Sequence, residues 1–343
     1  MTMIDMHAHW RPAGVADALR ARTREPRILR NEDGGEVLKS GRMGEEPLAK
    51  AFDDVAFHLA RMDRQGVQTS VLSLLGSFCW IEAQPLEEAE PLCRIVNDGL
   101  SAICQEHPGR FAAYAALPLT DMSAAAAEFE RALGLPGMIG AQIPGNYFLT
   151  RKDGEAMRPL LEVANRHHAA LFIHHGPRPG DAFPKVASDT DNARRRNGTL
   201  DMQASLSSVM VTLCLTDYLA DYPDAMIQVH NLGGNLPYEV ERMDHRCLLD
   251  TPNEELPSSR VRKAKVYVDC NSFGPRAIEA AVSLYGAERI VCGTDGTEFG
   301  CDWTRKALAE AQIGEEAREQ ILHRNAAAML TRVKTAQRER AAA

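Results

Sequence analysis

Short apolar runs bounded by turn residues recur along the 343-residue chain, and stretches of helical periodicity separate most of them. Consecutive strands joined through helices pair in parallel, so this alternation predicts a parallel sheet. The runs that qualify as strands are residues 2–7, 69–75, 111–119, 137–143, 170–175, 225–231, 266–270 and 289–294. Eight parallel strands close a barrel. We therefore predict an α/β fold of the (β/α)8 TIM barrel type.

Two segments interrupt the alternation. Residues 20–47 are charged and contain glycines, and residues 176–201 are rich in Pro, Asp, Asn and Arg. They follow predicted strands one and five, so we predict insertions at the C-terminal rim of the barrel, where active-site loops lie. No linker or internal repeat divides the chain, which predicts one barrel domain over residues 1–335. Residues 336–343 are mostly Ala, Arg and Glu and are predicted to form a disordered tail.

The composition narrows the location and the partners of the protein. With 45% hydrophobic and 25% charged residues, the chain is ordinary for a globular protein, and no apolar run approaches the length needed to cross a bilayer. The formal net charge of −8 disfavours nucleic acid, which binds basic surfaces. The N-terminus lacks the features of a secretory signal, and the eight cysteines form no Cys-x-x-Cys pair. We predict a cytoplasmic protein with reduced thiols that binds neither nucleic acid nor membrane.

Five residues of metal-binding or acid/base type stand at predicted strand ends. His7 and His9 end strand one, where a spacing of two puts both side chains on one face so that they can hold one ion together. A solvated or hydrogen-bonded histidine pair is the alternative. His174, His230 and Asp295 end strands five, six and eight. Because the C-terminal ends of barrel strands meet at one mouth, we predict that all five converge in a metal-dependent active site.

Three motifs accompany these residues: Arg-Met-Asp-Arg-Gln-Gly-Val at 61–67, Pro-Tyr-Glu-Val-Glu-Arg at 237–242, and Gly-Thr-Asp at 293–295. With them, nearly the whole chain resembles the amidohydrolase superfamily. Within that superfamily it is similar to the subgroup of aminocarboxymuconate-semialdehyde decarboxylase and related aromatic-acid decarboxylases. The resemblance implies a barrel enzyme that acts on a small-molecule carboxylic acid.

The resemblance also implies a role for each residue at the mouth. It makes four residues the ligands of one divalent ion: His7, His9, His174 and Asp295. His230 becomes an acid/base residue beside the ion, and Asp295 shares the catalytic role. The rim of strand four reads Gly-Ala-Gln-Ile-Pro at 140–144, without the lysine that is carbamylated in two-metal members of the superfamily. Imidazole and carboxylate ligands suit zinc, which we predict, and also manganese.

Two segments at the mouth depart from the decarboxylase pattern. Where the subgroup has His-Gly-Gly-Gly, this chain reads His-Asn-Leu-Gly-Gly at 230–234. Where the subgroup continues Gly-Thr-Asp-Tyr-Pro, this chain reads Gly-Thr-Asp-Gly-Thr-Glu-Phe at 293–299. Both changes would line the pocket, so they indicate a different acid or a different reaction.

Further residues are predicted to contact the substrate. Phe78, Trp80 and Trp303 follow strands two and eight and would pack on a flat, conjugated molecule, with ordinary rim packing as the alternative. Arg178 would attract an anionic substrate to the loop after strand five, unless it is simply a solvated charge.

Two substrate contacts come from the resemblance. His58 stands where the decarboxylases can carry a substrate-binding arginine, although a lone histidine on a helix is more often structural. Arg242 matches an arginine that reaches a substrate carboxylate across a dimer interface, which predicts a homodimer, with a surface salt bridge as the alternative.

The leading hypothesis for function is non-oxidative decarboxylation of an aromatic or conjugated unsaturated carboxylic acid, with a metal ion as the electrophile. The alternative is a hydrolase of an amide, lactone or carbon-carbon bond, or a hydratase, that uses a metal-activated water at the same site. A third hypothesis is a catalytically silent barrel that only binds a metal or a small ligand. It predicts the loss of an acid/base residue, whereas His230 and Asp295 are both present.

Overall fold

The computed structural model describes residues 2–40, 45–48, 52–74, 80–181, 192 and 195–342. Its strands are β1 (Met3–Trp10), β2 (Arg27–Arg30), β3 (Glu36–Lys39), β4 (Glu45–Pro47), β5 (Val67–Leu74), β6 (Phe111–Ala115), β7 (Met138–Pro144), β8 (Ala170–His174), β9 (Met226–Val229), β10 (Val266–Asp269) and β11 (Ile290–Val291). Its helices are α1 (Ala13–Arg20), α2 (Val55–Gln65), α3 (Leu86–Glu106), α4 (Met122–Leu133), α5 (Arg151–Gly154), α6 (Arg158–His167), α7 (Met202–Cys214), α8 (Leu236–Asp250), α9 (Pro257–Lys263), α10 (Pro275–Tyr285), α11 (Glu298–Glu310), α12 (Gly314–Glu319) and α13 (Asn325–Ala342).

Eight of these strands form one parallel sheet in the order β1-β5-β6-β7-β8-β9-β10-β11. Two backbone hydrogen bonds bring the first strand to the segment that follows the last one: Met6 N donates to Cys292 O at 2.9 Å, and Thr294 N donates to His7 O at 3.3 Å. The sheet therefore curves round until its two edges meet. The predicted (β/α)8 barrel is confirmed, and each predicted strand corresponds to one observed strand.

The core has two layers because each barrel strand is buried on both sides. In β8, Leu171 and Ile173 pack outward against the helices, whereas Phe172 faces the inside of the barrel. The inner cluster also contains Met329 and Val333 of α13, which pack against the interior residues. This helix therefore covers one end of the barrel, and the opposite end holds the C-terminal strand ends.

The motif at 61–67 joins α2 to the second barrel strand. The side chain of Asp54 accepts a hydrogen bond from Phe57 N at 2.9 Å and caps the start of α2. Gly66 adopts a left-handed conformation with φ 65° and ends the helix, so that β5 begins at the next residue. The buried Arg61 donates to Thr297 O at 3.3 Å. The motif thus ties α2 to the loop that follows Asp295.

The predicted insertion after strand one contains regular structure that periodicity did not reveal. After α1, strands β2, β3 and β4 form a separate antiparallel sheet. The insertion after strand five lies partly outside the described residues. Its described end, Arg196–Asp201, is a π-helical turn that leads into α7.

The C-terminal segment differs from the prediction of a disordered tail over residues 336–343. Helix α13 continues to Ala342, and Ala336 is buried. The side chain of Gln337 donates to Leu133 O at 3.2 Å and to Met138 O at 2.9 Å. These contacts anchor the helix beyond the expected boundary, a tertiary effect that composition cannot reveal.

Within the described residues, no helix combines the length and the apolar character needed to cross a membrane. The cysteines that the structure describes are all free thiols, and most of them are buried. The prediction of reduced thiols agrees with this arrangement.

Candidate metal centre

Strand β1 carries two histidines into the mouth of the barrel. Its pairing with β5 shifts register between Asp5 and Ala8, which marks a bulge of the kind found next to active sites. His7 and His9 flank Ala8 and are both buried. Their Nε2 atoms lie 3.3 Å apart. The two rings therefore point at one place, as their spacing in the sequence predicts.

Two further donors complete a cluster. Asp295 Oδ1 lies 3.1 Å from His9 Nε2 and 3.4 Å from His7 Nε2. One donor atom from each of His7, His9, His174 and Asp295 lies within 4.8 Å of all the others. A tetrahedral zinc ion with bonds of about 2.0–2.1 Å to nitrogen has donors about 3.3–3.4 Å apart. The separations among His7, His9 and Asp295 match such a shell, and the His174 donor lies within 4.8 Å of all three, so these four residues fit one divalent cation.

The rings are oriented by partners at their other nitrogen. His9 Nδ1 is hydrogen-bonded to Ser73 Oγ at 3.0 Å, and His174 Nδ1 to the His175 carbonyl at 2.9 Å. His7 Nδ1 lies 3.3 Å from Asp269 Oδ2, an ion-pair contact without hydrogen-bond geometry. A proton on each Nδ1 leaves the lone pair on Nε2, directed into the cluster. Ligating histidines commonly have such partners, which set the tautomer and the ring orientation.

Asp5 holds the segment that presents Asp295. Its carboxylate accepts hydrogen bonds from the backbone of Thr294 at 3.0 Å, from the Thr294 hydroxyl at 2.5 Å and from His7 N at 3.2 Å. Asp295 itself has φ 61°, a left-handed conformation that non-glycine residues adopt rarely and mostly where the surroundings impose it. The anchored Thr294 thus turns the Asp295 carboxylate into the mouth.

His230 lies next to the cluster and is buried. Its ring stacks on His174 with centroids 4.2 Å apart and lies 4.6 Å from the His7 ring. A second group of donor atoms within 4.8 Å of one another comes from His174, His175 and His230. This group contains no carboxylate. The geometry is that of a group beside the four-residue cluster, within reach of a molecule bound there.

The loop after His230 has an unusual backbone. Asn231 and Leu232 have φ of 50° and 51°, and the two following glycines are also left-handed. A Cβ on Gly234 would lie 2.2 Å from the Gln203 carbonyl oxygen, so only glycine fits there. Asn231 N donates to Asp269 Oδ1 at 3.2 Å. This loop, which departs from the decarboxylase pattern, is therefore tied to the residue that orients His7.

Burial and charge set the protonation of the cluster. Burial, together with neighbouring histidines, lowers the pKa of His174 and His230 well below the usual range. Burial acts against protonation of His7 too, but the carboxylates of Asp269 and Asp295 outweigh it and raise the pKa of His7 to about 10. The site thus favours a positive charge at His7, and a metal cation would replace that proton.

A cavity opens beside His174. Its lining includes Trp80, Gln142, Pro144, His175 and Pro177. The structure therefore places Trp80, one of the predicted substrate contacts, in the wall next to the cluster. Phe78 lies outside the described residues. Arg242 lies on the exposed face of α8.

His58 is not brought to this cavity. Its buried ring lies 5.6 Å from the rings of Trp10 and Phe111, and its Nε2 is 3.0 Å from the guanidinium of Arg61. These contacts place His58 in the packed layer between α2 and the barrel. The described contacts of His58 are those of a packed residue, and its predicted contact with the substrate stays a prediction.

Arg178 and Trp303 are engaged elsewhere as well. The Arg178 guanidinium binds Asp153 at 2.7 Å and Asp181 at 3.2 Å. The Trp303 indole donates to the Phe273 carbonyl at 3.1 Å and borders a separate small cavity. Neither side chain borders the cavity beside His174. Substrate contact by these two residues therefore stays a prediction, and the side-chain contacts that the structure describes lend it no support.

Asp269 is one residue of this site that was not predicted from the sequence. It ends β10 and approaches His7 Nδ1 at 3.3 Å. Its signal was available, since it is a carboxylate at the C-terminal end of a predicted barrel strand, like the residues that were singled out. Without a motif, however, its distance from His7 could not be read from the sequence.

Replacing Asp269 by asparagine is expected to weaken zinc binding about 10–100-fold, because the partner that orients a ligating histidine is lost. Competition with a chelating dye measures the dissociation constant. Asp250→Asn is the control, since Asp250 is a half-exposed carboxylate on α8 that pairs with Arg246. Unchanged zinc affinity in folded Asp269→Asn would show that His7 does not depend on this carboxylate.

Comparison with known proteins places this geometry in a family. The family model described as Amidohydrolase matches residues 4–332. The chain is 27% identical over 275 residues to the gamma-resorcylate decarboxylase of Rhizobium sp., covering 74% of this chain and 81% of that protein.

Solved structures share the fold over nearly the whole chain. The IDCase of Metarhizium anisopliae superposes with a TM-score of 0.78 at 20% identity, covering 96% of this chain and 97% of that one. The dihydroxybenzoic acid decarboxylase of Polaromonas sp., solved with bound manganese and the inhibitor 2-nitroresorcinol, has a TM-score of 0.64 at 20% identity, covering 96% and 97%. The resemblance inferred from the sequence is confirmed. By the extent of the family match, this chain belongs to the amidohydrolase family.

Proposed function

We propose that the protein is a metal-dependent decarboxylase that releases carbon dioxide from an aromatic or conjugated unsaturated carboxylic acid without an oxidant. The observation that carries the proposal is the cluster of three histidines and one carboxylate, with His230 stacked beside it. The similarity to the gamma-resorcylate decarboxylase of Rhizobium sp. supports it. In the reaction, the bond from the substrate carbon to its carboxylate breaks, the electron pair stays on that carbon, and a proton takes the vacated position.

The proposed ligands are His7, His9, His174 and Asp295. These residues would hold a divalent cation, whose positive charge would orient the carboxylate and stabilise the negative charge that develops. His230 is proposed to handle the proton delivered to carbon, together with Asp295. His230 is suited to this because it is buried and its ring lies against His174 without belonging to the four-residue cluster.

The identity of the ion follows from the donors. Three imidazoles and a carboxylate suit zinc, and the separations among the His7, His9 and Asp295 donors match its tetrahedral shell. We propose zinc, with manganese as the second candidate because a family member of the same fold binds it.

We also propose a cytoplasmic homodimer. The exposed side of α8 carries Arg242 together with Tyr238, Leu248 and Leu249, and the last three are 56%, 60% and 63% exposed. Exposed apolar side chains grouped in this way are typical of an interface between subunits. Light scattering is expected to give twice the mass of the 37.7 kDa chain, and a monomer would contradict the proposal.

Elemental analysis of the purified protein, followed by a carbon dioxide assay on a panel of aromatic and muconate-type acids, tests the function. About one zinc or manganese per chain with release of gas is the expected result. Metal without gas from any acid would instead favour the hydrolase or hydratase alternative, since the same donors serve those reactions. A folded protein that binds no metal would contradict the site itself.

A further inference from the structure

Gln142 lies on the interior face of β7, one row below the candidate metal ligands. In the pairing of β7 with β8, Gln142 lies opposite Phe172 and Pro144 lies opposite His174. Alternate residues of a strand face the same side. Gln142 and Pro144 therefore both face the inside of the barrel, and both line the cavity beside His174.

The amide oxygen of Gln142 is buried and accepts no hydrogen bond from any residue that the structure describes. Buried polar groups are almost always paired, because an unpaired one loses its bonds to water without replacement. Gln228, another interior glutamine, shows the usual arrangement. Its oxygen accepts from the Tyr114 hydroxyl at 2.8 Å, and its nitrogen donates to Met6 O at 3.2 Å. Because Gln142 also lines the cavity beside His174, a molecule bound in that cavity is positioned to supply the missing partner.

The rest of the cavity wall limits what that molecule is. Trp80, Pro144 and Pro177 offer flat, apolar surfaces that suit an aromatic ring. The described lining contains the carboxylate of Glu82 and no lysine or arginine. A ring hydroxyl both donates and accepts a hydrogen bond, and a side-chain amide offers the same two functions.

We propose that Gln142 determines specificity by hydrogen-bonding a hydroxyl group on the ring of an aromatic carboxylic acid. The inference rests on the proposed decarboxylase function, whose substrate would be held with its carboxylate at the four-residue cluster. An acid without the hydroxyl leaves the buried amide unpaired, and a site built to bind a hydroxyl discriminates strongly against such an analogue.

The test compares two unreactive ligands on zinc-loaded protein, 2-nitroresorcinol, which carries ring hydroxyls, and nitrobenzene, which does not. Gln142→Met keeps the length of the side chain and removes its amide. Calorimetry is expected to show a roughly tenfold higher Kd for 2-nitroresorcinol in the variant, the effect of losing one hydrogen bond. The Kd for nitrobenzene is expected to stay within about twofold.

The control is Gln203→Met. The amide oxygen of Gln203 is also buried without a partner among the described residues, but Gln203 does not border the cavity beside His174. Its variant is expected to leave the ratio of the two Kd values unchanged. Zinc content and thermal stability are measured for every variant, and Gln142→Leu provides a second apolar replacement if the methionine variant does not fold.

Several outcomes would overturn the role of Gln142. These are wild-type protein that does not prefer 2-nitroresorcinol, or Gln142 variants that change both Kd values equally or neither. Carbon dioxide release from 2,6-dihydroxybenzoate is followed separately. Release of gas with an unmoved Kd ratio defeats the inference and keeps the function. A shifted ratio without gas from any acid defeats the function and keeps Gln142 as a hydroxyl-binding residue.

Discussion

Replacing His174 by alanine is expected to remove the bound metal and to lower carbon dioxide release by at least about a thousandfold, because an inner ligand supplies both affinity and position to the catalytic ion. His174 contributes one of four converging donor atoms, and the neighbouring His175 carbonyl fixes its ring. Elemental analysis after gel filtration and a carbon dioxide assay on the same sample measure the two losses.

The matched control is His323→Ala. His323 lies at the other end of the barrel, 3.3 Å from the side chain of Gln68 near the start of β5, and contributes nothing to the cluster. Its variant is expected to keep both metal and activity. If folded His174→Ala retained one ion per chain and full turnover, His174 would not be a ligand and the assignment of the centre would fail.

Replacing His230 by alanine is expected to leave the metal bound, unlike the His174 variant, and to lower turnover about 100–10,000-fold. This is the usual effect of removing a general acid or base. The reason is geometric. The His230 ring stacks on His174 and lies close to His7. It does not belong to the four-residue cluster of candidate metal ligands. Metal content and single-turnover release of carbon dioxide separate binding from chemistry.

Added imidazole distinguishes a chemical role of His230 from a purely structural one, because a structural role predicts no recovery of turnover. If His230 handles a proton, imidazole is expected to enter the space left by the alanine and restore part of the turnover. A folded His230→Ala variant without metal would instead make His230 a ligand. Unchanged turnover with metal bound would remove it from the chemistry.

The two variants together distinguish a metal centre from a histidine-rich core. In a packed core, the stacked pair His174 and His230 would be equivalent, and either alanine would only lower stability. At the proposed centre they differ, because one ring supplies a donor atom to the cluster and the other lies beside it.

Local patterns in the sequence were sufficient to predict the barrel and the convergence of its histidines. Strand β8 is a run of apolar residues ending in His174, and its position and end are visible without any knowledge of the fold. Because parallel barrel strands all present their C-terminal ends at one mouth, the residues at those ends meet. The four candidate ligands and His230 were therefore predictable from where strands end.

Tertiary contacts decided what periodicity could not. The small sheet of β2, β3 and β4 has strands of three and four residues, too short for a distinct pattern. Helix α13 extends past its expected end because Gln337 reaches backbone carbonyls of α4 and β7. Each of these depends on a neighbour that is distant in the sequence.

The same distinction holds at the candidate site. Strand ends in the sequence determined which donors reach the mouth, since the geometry of a parallel barrel follows from local hydrophobic patterns. Only the tertiary structure decided how those donors are oriented and what surrounds them: Asp269 beside His7, His58 packed behind the wall, Arg178 neutralised by aspartates, and the Gln142 amide left without a described partner. Orientation and pairing of side chains depend on residues brought together from different strands, and no local pattern records those distances.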